Sequence, residues 1–240
     1  MITPSAPYAA IDGTWPAAGF HSVGPWLVRE GQGGGKRVSA TTAVAEVKAQ
    51  DIATAEDAMR RLGQRPLFMI RDCDGALDEA LAVRHYRVVD PVNLYVAPVS
   101  SLTDMPIPRV TAFAIWEPLA IMAEIWAKGG IGRDRLNVMD RTKTKTGILA
   151  RWNEKPAGTA FAAIHDDIAM VHAVEVLPHQ RKQGVAGWIM RRAAFWAQEN
   201  GAETLAVLCT QENVAANRLY QQLGFRKLCG YHYRQHPEDL

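Results

Sequence analysis

At 240 residues with 48% apolar content, the chain is long enough for one large domain or two small ones built on a real core. Twenty-seven Lys and Arg against 25 Asp and Glu leave a net charge of +2, which speaks against whole-molecule attraction to nucleic acid or an anionic membrane. No apolar run approaches the roughly 20 residues of a membrane helix, Met1-Ile2-Thr3-Pro4 lacks a charged and then apolar leader, and Cys73, Cys209 and Cys229 lack C-x-x-C spacing; a soluble, cytoplasmic protein without disulfide framework or metal is expected.

In chain order, Trp26-Leu27-Val28-Arg29 and Arg37-Val38-Ser39 read as strands joined by Gly31-Gln32-Gly33-Gly34-Gly35, and Ile52–Leu62 as an amphipathic helix. Leu67-Phe68-Met69-Ile70 is a short apolar run expected as a buried strand. Leu77 to Val83 has helical spacing, and Tyr86-Arg87-Val88-Val89 and Val92–Val96 return to strand character. From Pro98 to Pro108 three prolines and several turn formers show no period and mark a linker, so domains at 1–105 and 106–240 are expected.

Beyond the linker, Val110–Trp116 reads as a strand, and Pro118 to Ala127, apolar at Leu119, Met122, Ile125 and Trp126, as a helix ended by Gly129-Gly130. Gly147–Trp152, Gly158–Ile164 and Ile168–Leu177 are strand-like runs separated by Asn153-Glu154-Lys155-Pro156 and His165-Asp166-Asp167, which predicts three consecutive antiparallel strands. Val185, Ile189, Ala193 and Trp196/Ala197 then recur at helical spacing up to Asn200-Gly201. Leu205–Cys209 reads as a buried strand, and Asn213 to Leu223 as a helix with Ala216, Leu219, Tyr220 and Leu223 on one stripe, stopped at Gly224. Phe225–Leu228 and Tyr231–Tyr233 form a final strand or strand pair, and Trp116, Trp126 and Trp196 are read as core. The fold class expected is α/β (α+β), a mixed and mostly antiparallel sheet flanked by helices. The succession Leu67–Ile70, Leu77–Val83, Tyr86–Val96 repeats Leu205–Cys209, Asn213–Leu223, Phe225–Tyr233 at nearly equal spacing, which points to a duplicated fold.

The stretch most informative about chemistry runs from Val174 to Trp188: a buried strand, a short basic turn containing Gly184, and the start of a long helix. Free amides and the positive end of the dipole at such a helix start bind anions. Gly184 lets the backbone approach a phosphate, Ala186 keeps the surface low, and Arg181 and Lys182 add positive charge.

R-x-x-G-x-A at Arg181–Ala186, followed about thirty residues on by N-x-x-A-x-x-L-Y-x-x-x-G-F at Asn213–Phe225, resembles the GNAT superfamily of acetyl-coenzyme A-dependent N-acetyltransferases. The match covers about Lys145 to Tyr233, with Val110–Gly130 supplying the start of the same fold. The first half is similar in outline to the degenerate GNAT-like domain of tandem members, lacks R-x-x-G-x-A, and is expected not to bind the cofactor. The resemblance implies that main-chain amides of Lys182, Gln183, Gly184, Val185, Ala186 and Gly187, with Arg181 beside them, hold the coenzyme A pyrophosphate. It implies also that the main chain of Val174 and Val176 pairs with the pantetheine arm like an added strand. Asn213 and Asn217 would contact the cofactor arm, and Tyr220 would protonate the leaving thiolate as general acid.

Attack on a thioester needs an unprotonated amine, so a base or a water chain must take a proton. Strict alternation places His172, Val174 and Val176 on one face and Val171, Ala173 and Glu175 on the other, so only one of His172 and Glu175 faces the cleft unless a bulge intervenes. Both are kept as candidate bases, and Leu208 and Cys209, where some relatives carry a glutamate, leave a water relay as a third route.

Gly31–Arg37 fails the nucleotide-loop pattern twice, at Glu30 and at Arg37, and reads as a flexible connection. His165-Asp166-Asp167 with His172 is ordinary turn chemistry, and Arg191-Arg192 solvate an outer face. The expected activity is transfer of acetyl from acetyl-coenzyme A to a primary amine of a small molecule, an amino acid or a polypeptide N-terminus. The partners are then acetyl-coenzyme A and that amine, without nucleic acid or membrane, and with a homodimer left open. The competing class is a non-catalytic acyl-coenzyme A sensor or interaction module on the same fold.

Overall fold

A computed structural model describes residues 6–239, so the Met1–Pro4 reading lies outside the described residues. In chain order the elements are α1 (Ala6–Thr14), β1 (Gly19–Val23), β2 (Trp26–Glu30), α2 (Lys36–Ser39), β3 (Thr42–Ala43), α3 (Asp51–Arg61), β4 (Leu67–Arg71), α4 (Gly75–Val83), β5 (Arg87–Pro98), β6 (Ala112–Ile115), α5 (Ala120–Lys128), α6 (Arg133–Asp140), β7 (Thr144–Trp152), β8 (Lys155–His165), β9 (Ile168–Val176), α7 (Val185–Glu199), β10 (Thr204–Thr210), α8 (Val214–Gln222) and β11 (Arg226–Gln235). The class is mixed α/β, as expected from the alternation of periods.

Packing divides the chain into two compact units that interleave in sequence, where the sequence reading places a single cut at 105/106. Of the described residues, the larger comprises 6–16, Leu94–Leu208 and Ala215–Lys227; the smaller comprises Ala17–Asn93, Cys209–Val214 and 228–239. The expected linker is not a free one, because β5 runs to Pro98, Val99 N–H donates to Glu203 O, and Leu102 is fully buried. Arg191, read as solvating, donates to the Leu102 carbonyl and pairs with Asp104.

In the larger unit the strand order is β6-β7-β8-β9-β10, with the C-terminal part of β5 beyond β10. β6 to β9 are antiparallel neighbours, whereas β9 and β10 run parallel, as two strands joined by the α7 crossover must. Along β8, Gly158, Ala160 and Ala162 share one face and Thr159 and Phe161 the other. Ile189 of α7 reaches the position above Gly158, so α7 covers the face of small residues. Trp15 packs edge-on to Phe161 at 5.9 Å, and Met122 of α5 lies where a Cβ on Gly147, the partner of Phe161, would project. Thus α1 and α5 cover the opposite face. The α7 stripe Val185, Ile189, Met190, Ala193, Ala194, Trp196 and Ala197 is buried, and truncating one such large side chain to Ala costs about 2–5 kcal/mol. Trp126 and Trp196 are core, but Trp116 is half-buried, with the Lys145 ammonium 4.8 Å from its ring.

In the smaller unit β1-β2-β3 form one antiparallel sheet, and β4-β11 with the N-terminal part of β5 form another array. Trp26, Val28, Ile52, Met59, Phe68, Ile70, Leu81 and Tyr86 make its core. Arg37-Val38-Ser39, expected as a strand, is instead the short helix α2. Gly35 at φ +98° turns the chain, Ala40 N–H closes on Lys36 O, and Val38 is fully buried. The expected strands at 86–89 and 92–96 are one strand, and so are the two expected at the C-terminus. Gly230 sits mid-strand in β11 because a Cβ there would meet Val92 O at 2.8 Å. Asp78 of α4 accepts from Arg234 at 2.7 and 2.9 Å and pairs with His232 at 2.7 Å, which ties α4 to β11.

The internal repeat has a topological consequence. β4-α4-β5 and β10-α8-β11 are the two copies, yet β10 is flanked by β5 and β4 by β11. The closing strand of each copy is exchanged onto the other copy's opening strand.

Candidate active site

β9 and β10 pair from Ile168/Thr204 to Val171/Val207 and then part. Residues 172–176 keep their pairing to β8, while the edge of β9 that faced β10 is released together with 208–210. At the point of parting, β9 carries a bulge: Phe161 pairs with His172 but Thr159 with Glu175, so three steps on β9 oppose two on β8. Ala173 absorbs the extra residue at φ +52°, and its carbonyl accepts from Trp126 Nε1 at 2.8 Å.

The bulge overturns the strict alternation expected for this strand. His172 contacts α1, Glu175 lies against α5, and both therefore occupy the α1/α5 face, while Val176 lies beside Ile189 on the α7 face. His172 is buried between Trp15 and Phe161, with ring centroids at 5.1 and 6.2 Å. Thr14 Oγ1 spends its proton on Ala10 O at 2.6 Å, so at 2.9 Å it accepts from His172 Nε2, which must carry the hydrogen. Glu175 is half-buried. Its carboxylate lies against Gly129, the residue capping α5, so closely that a Cβ there would be 2.4 Å from Glu175 Cδ. Burial pushes the Glu175 carboxyl up, and the Arg181 and Arg135 guanidinium groups pull it back down.

Between β9 and α7 the chain makes a turn at Pro178–Gln180 and then exposes Arg181, Lys182, Gln183 and Gly184. Lys182 at φ +61° and Gly184 at φ +78° curl the backbone, and Gly184 caps α7 without any side-chain hydrogen bond. Trp188 N–H is taken by Gly184 O, so the amides of Val185, Ala186 and Gly187 precede the first intrahelical bond. Nothing lies within 4 Å of a Cβ built on Gly184 or Gly187. Arg181 Nε donates to Val176 O at 3.2 Å, tying the basic turn to the end of β9.

α8 follows β10. Asn213 immediately precedes the helix, its N–H bonded to Thr210 O. Asn217 Oδ1 accepts from Tyr95 at 2.9 Å. Tyr220 is the residue of α8 that is buried, with Tyr95 and Phe225 at 6.0 and 5.8 Å. Leu208 and Cys209 lie where β10 leaves β9, and burial pushes the Cys209 thiol up to about 11, so it stays protonated. No cluster of three metal-ligating side chains occurs among the described residues.

Residues 116–225 match the acetyltransferase (GNAT) family. This chain carries a GNAT acetyltransferase domain. The chain is also 26% identical over 231 residues, 92% of its length and 94% of the relative's, to the uncharacterized N-acetyltransferase YobR of Bacillus subtilis. Its fold is similar to that of a GCN5-related N-acetyltransferase from Kribbella flavida, with a TM-score of 0.72 at 17% identity, covering 99% of this chain and 97% of the other. A tandem GNAT protein from the clavulanic acid biosynthesis pathway is similar in fold at a TM-score of 0.57 and 11% identity, covering 81% of this chain and 74% of that one. The expected family and fold are thereby met.

Sequence reading missed the partners of the candidate residues. Gly129 reads as a helix stop, yet its role in the fold is to admit the Glu175 carboxylate, and the positive φ belongs to Gly130. Thr14, Tyr95 and Arg135 lie far away in the chain or on an element, α6, that lacks a clear apolar period, and no local signal singles them out.

Proposed function

We propose that the GNAT domain transfers the acetyl group of acetyl-coenzyme A to a primary amine. The observation that carries this reading is the parting of β9 from β10 immediately before an α7 start that no side chain caps. Such a gap offers unpaired strand edge to an amide-bearing arm, and the turn after it offers amides to a diphosphate. The chain's own residues fit that ligand: Gly184 and Gly187 leave open space over the turn, and Arg181 and Lys182 are exposed beside it.

In this reading the amides of Lys182, Gln183, Gly184, Val185, Ala186 and Gly187 hold the pyrophosphate, and Val174 and Val176 hold the arm through their main chain. Asn217 holds the arm from the α8 side. Acetyl-coenzyme A supplies an activated acyl group and a thiolate leaving group. Glu175 takes the proton of the incoming ammonium, directly or through water, since its raised affinity for protons brings it towards the range useful near neutral pH. Tyr220 gives its hydroxyl proton to the departing sulfur, and the nitrogen, cationic in the tetrahedral intermediate, returns its surplus proton to that oxygen directly or through water as the C–S bond breaks. His172 holds the face through its bond to Thr14 and its aromatic neighbours; its Nε2 is committed to Thr14, so a proton it accepts goes to Nδ1.

The acceptor is a small molecule, an amino acid or a polypeptide N-terminus. The test is thiol release from acetyl-coenzyme A by the pure protein with a panel of such amines. Turnover that Tyr220→Phe lowers at unchanged cofactor affinity supports the reading. Cofactor binding without turnover of any amine overturns it in favour of a sensor.

A further inference from the structure

Tyr95 stands on the part of β5 that flanks β10, and β5 belongs to the first copy of the repeat. Its side chain is 2% exposed. Its hydroxyl donates to Asn217 Oδ1 at 2.9 Å, and its ring lies 6.0 Å from that of Tyr220 at an interplanar angle of 47°. Asn217 and Tyr220 are three residues apart, hence on one face of α8, and a single side chain from the other copy touches both.

Both contacts fall on the packed face of the helix. α8 has nine residues, with Tyr220 buried and Ala216, Asn217 and Leu219 half-buried beside it, so a side chain bonded to Asn217 and packed on Tyr220 acts on the face that sets its rotation about its axis. A tyrosyl oxygen stands about 8 Å from a helix axis, so a rotation of about 10° carries it about 1.4 Å. Misplacement of that size is enough to cost a catalytic group about a hundredfold in rate.

We propose that Tyr95 is a positioning residue of the acetyl-transfer site. Its hydroxyl fixes the Asn217 amide, and its ring and that bond together set the rotation of α8 and so the aim of the Tyr220 hydroxyl. The proposal rests on the acetyl-transfer reading and extends it, since it gives the first copy of the repeat a part in the reaction: the exchanged strand brings the side chain that aligns the acid.

The experiment compares wild type, Tyr95→Phe, Asn217→Ala, Tyr220→Phe and the double variants, reading kcat, the KM of the amine and the dissociation constant of coenzyme A. Tyr95→Phe keeps the ring and removes one hydrogen bond. It is expected to lower kcat about 5- to 30-fold with the amine KM within about 2-fold of wild type. Tyr95→Phe/Asn217→Ala is expected to lose no more than the worse single variant, and Tyr95→Phe is expected to have no further effect on kcat once Tyr220 is Phe. Wild-type kcat in Tyr95→Phe, losses that multiply across the cycle, or the same loss in the Tyr220→Phe background would each overturn the proposal while leaving acetyl transfer intact. Wild-type protein that neither binds coenzyme A nor releases thiol contradicts the underlying reading and takes this proposal with it.

Discussion

Gly129→Ala isolates the carboxylate we assign as base without touching it. Gly129 has φ −86° and ψ 7°, which alanine adopts without strain, so the change adds a Cβ and nothing else. That Cβ would lie 2.4 Å from Glu175 Cδ and 2.7 Å from each carboxylate oxygen. Ordinary contact between such atoms begins near about 3.5 Å, so the carboxylate must retreat by about 1 Å. It is the far end of a flexible side chain with part of its surface in water, which makes the retreat cheap for the fold, while about 1 Å at a reacting group costs about 10- to 100-fold in rate. We expect Gly129→Ala to lower kcat by that factor, with the melting temperature within a few degrees of wild type and coenzyme A affinity unchanged. Steady-state kinetics by thiol release, paired with thermal denaturation and calorimetric titration of coenzyme A, reads all three. Wild-type kcat in this variant would refute the placement of Glu175 at the reaction, and a kcat loss matched by loss of folded protein would refute the reasoning from geometry.

Further outcomes follow from the same structure. The folded Glu175 binds its proton more tightly than the unfolded chain does, so its contribution to stability is present below the ordinary glutamate pKa and lost as pH rises through the raised folded value. Glu175→Gln should accordingly raise the melting temperature at pH 7 while lowering kcat about a hundredfold, and calorimetry and kinetics on one preparation check both signs. Arg135 holds the Glu175 carboxyl down, so Arg135→Ala should move the acid limb of kcat/KM to higher pH, which a pH–rate profile reads. The Arg234 hydrogen bonds, with help from His232, hold the Asp78 carboxyl below its usual range, so its stabilisation is present above the unfolded pKa and lost as pH falls through the lower folded one. Asp78→Asn should cost about 1–2 kcal/mol at pH 7 by urea denaturation and lessen the fall in stability at acid pH, the pair being only part-buried.

Much of this could be read from the residues because periodicity is local. The α7 stripe from Val185 to Ala197, the turn at His165-Asp166-Asp167 and the apolar run at Leu67–Ile70 each declare their element within a few residues. α6 was missed because Arg133–Asp140 buries only Val138 and Met139 amid charged neighbours, and α2 was misread because the tight closure after Gly35 leaves a two-residue apolar signal that a strand would share. The turn at Arg181–Gly184 was legible as a motif. The company of Glu175 was not, since it depends on the bulge at Ala173 and on a glycine forty-six residues earlier in the chain. Strand exchange is likewise invisible to local pattern: the repeat could be seen in sequence, but which copy's closing strand lies beside β10 is decided by long-range pairing.

The central claim is that the turn opening α7 cradles the diphosphate of coenzyme A, and calorimetric titration of coenzyme A into wild type and Gly184→Glu tests it most directly. Gly184 is at φ +78° with open space around its missing side chain, so the glutamate meets no steric barrier, strains the turn by about 1 kcal/mol and brings a negative charge to the proposed anion site. The account predicts one site per chain in wild type and affinity at least about tenfold weaker in the variant. Equal affinities in the two proteins, or no binding by wild type, would contradict it.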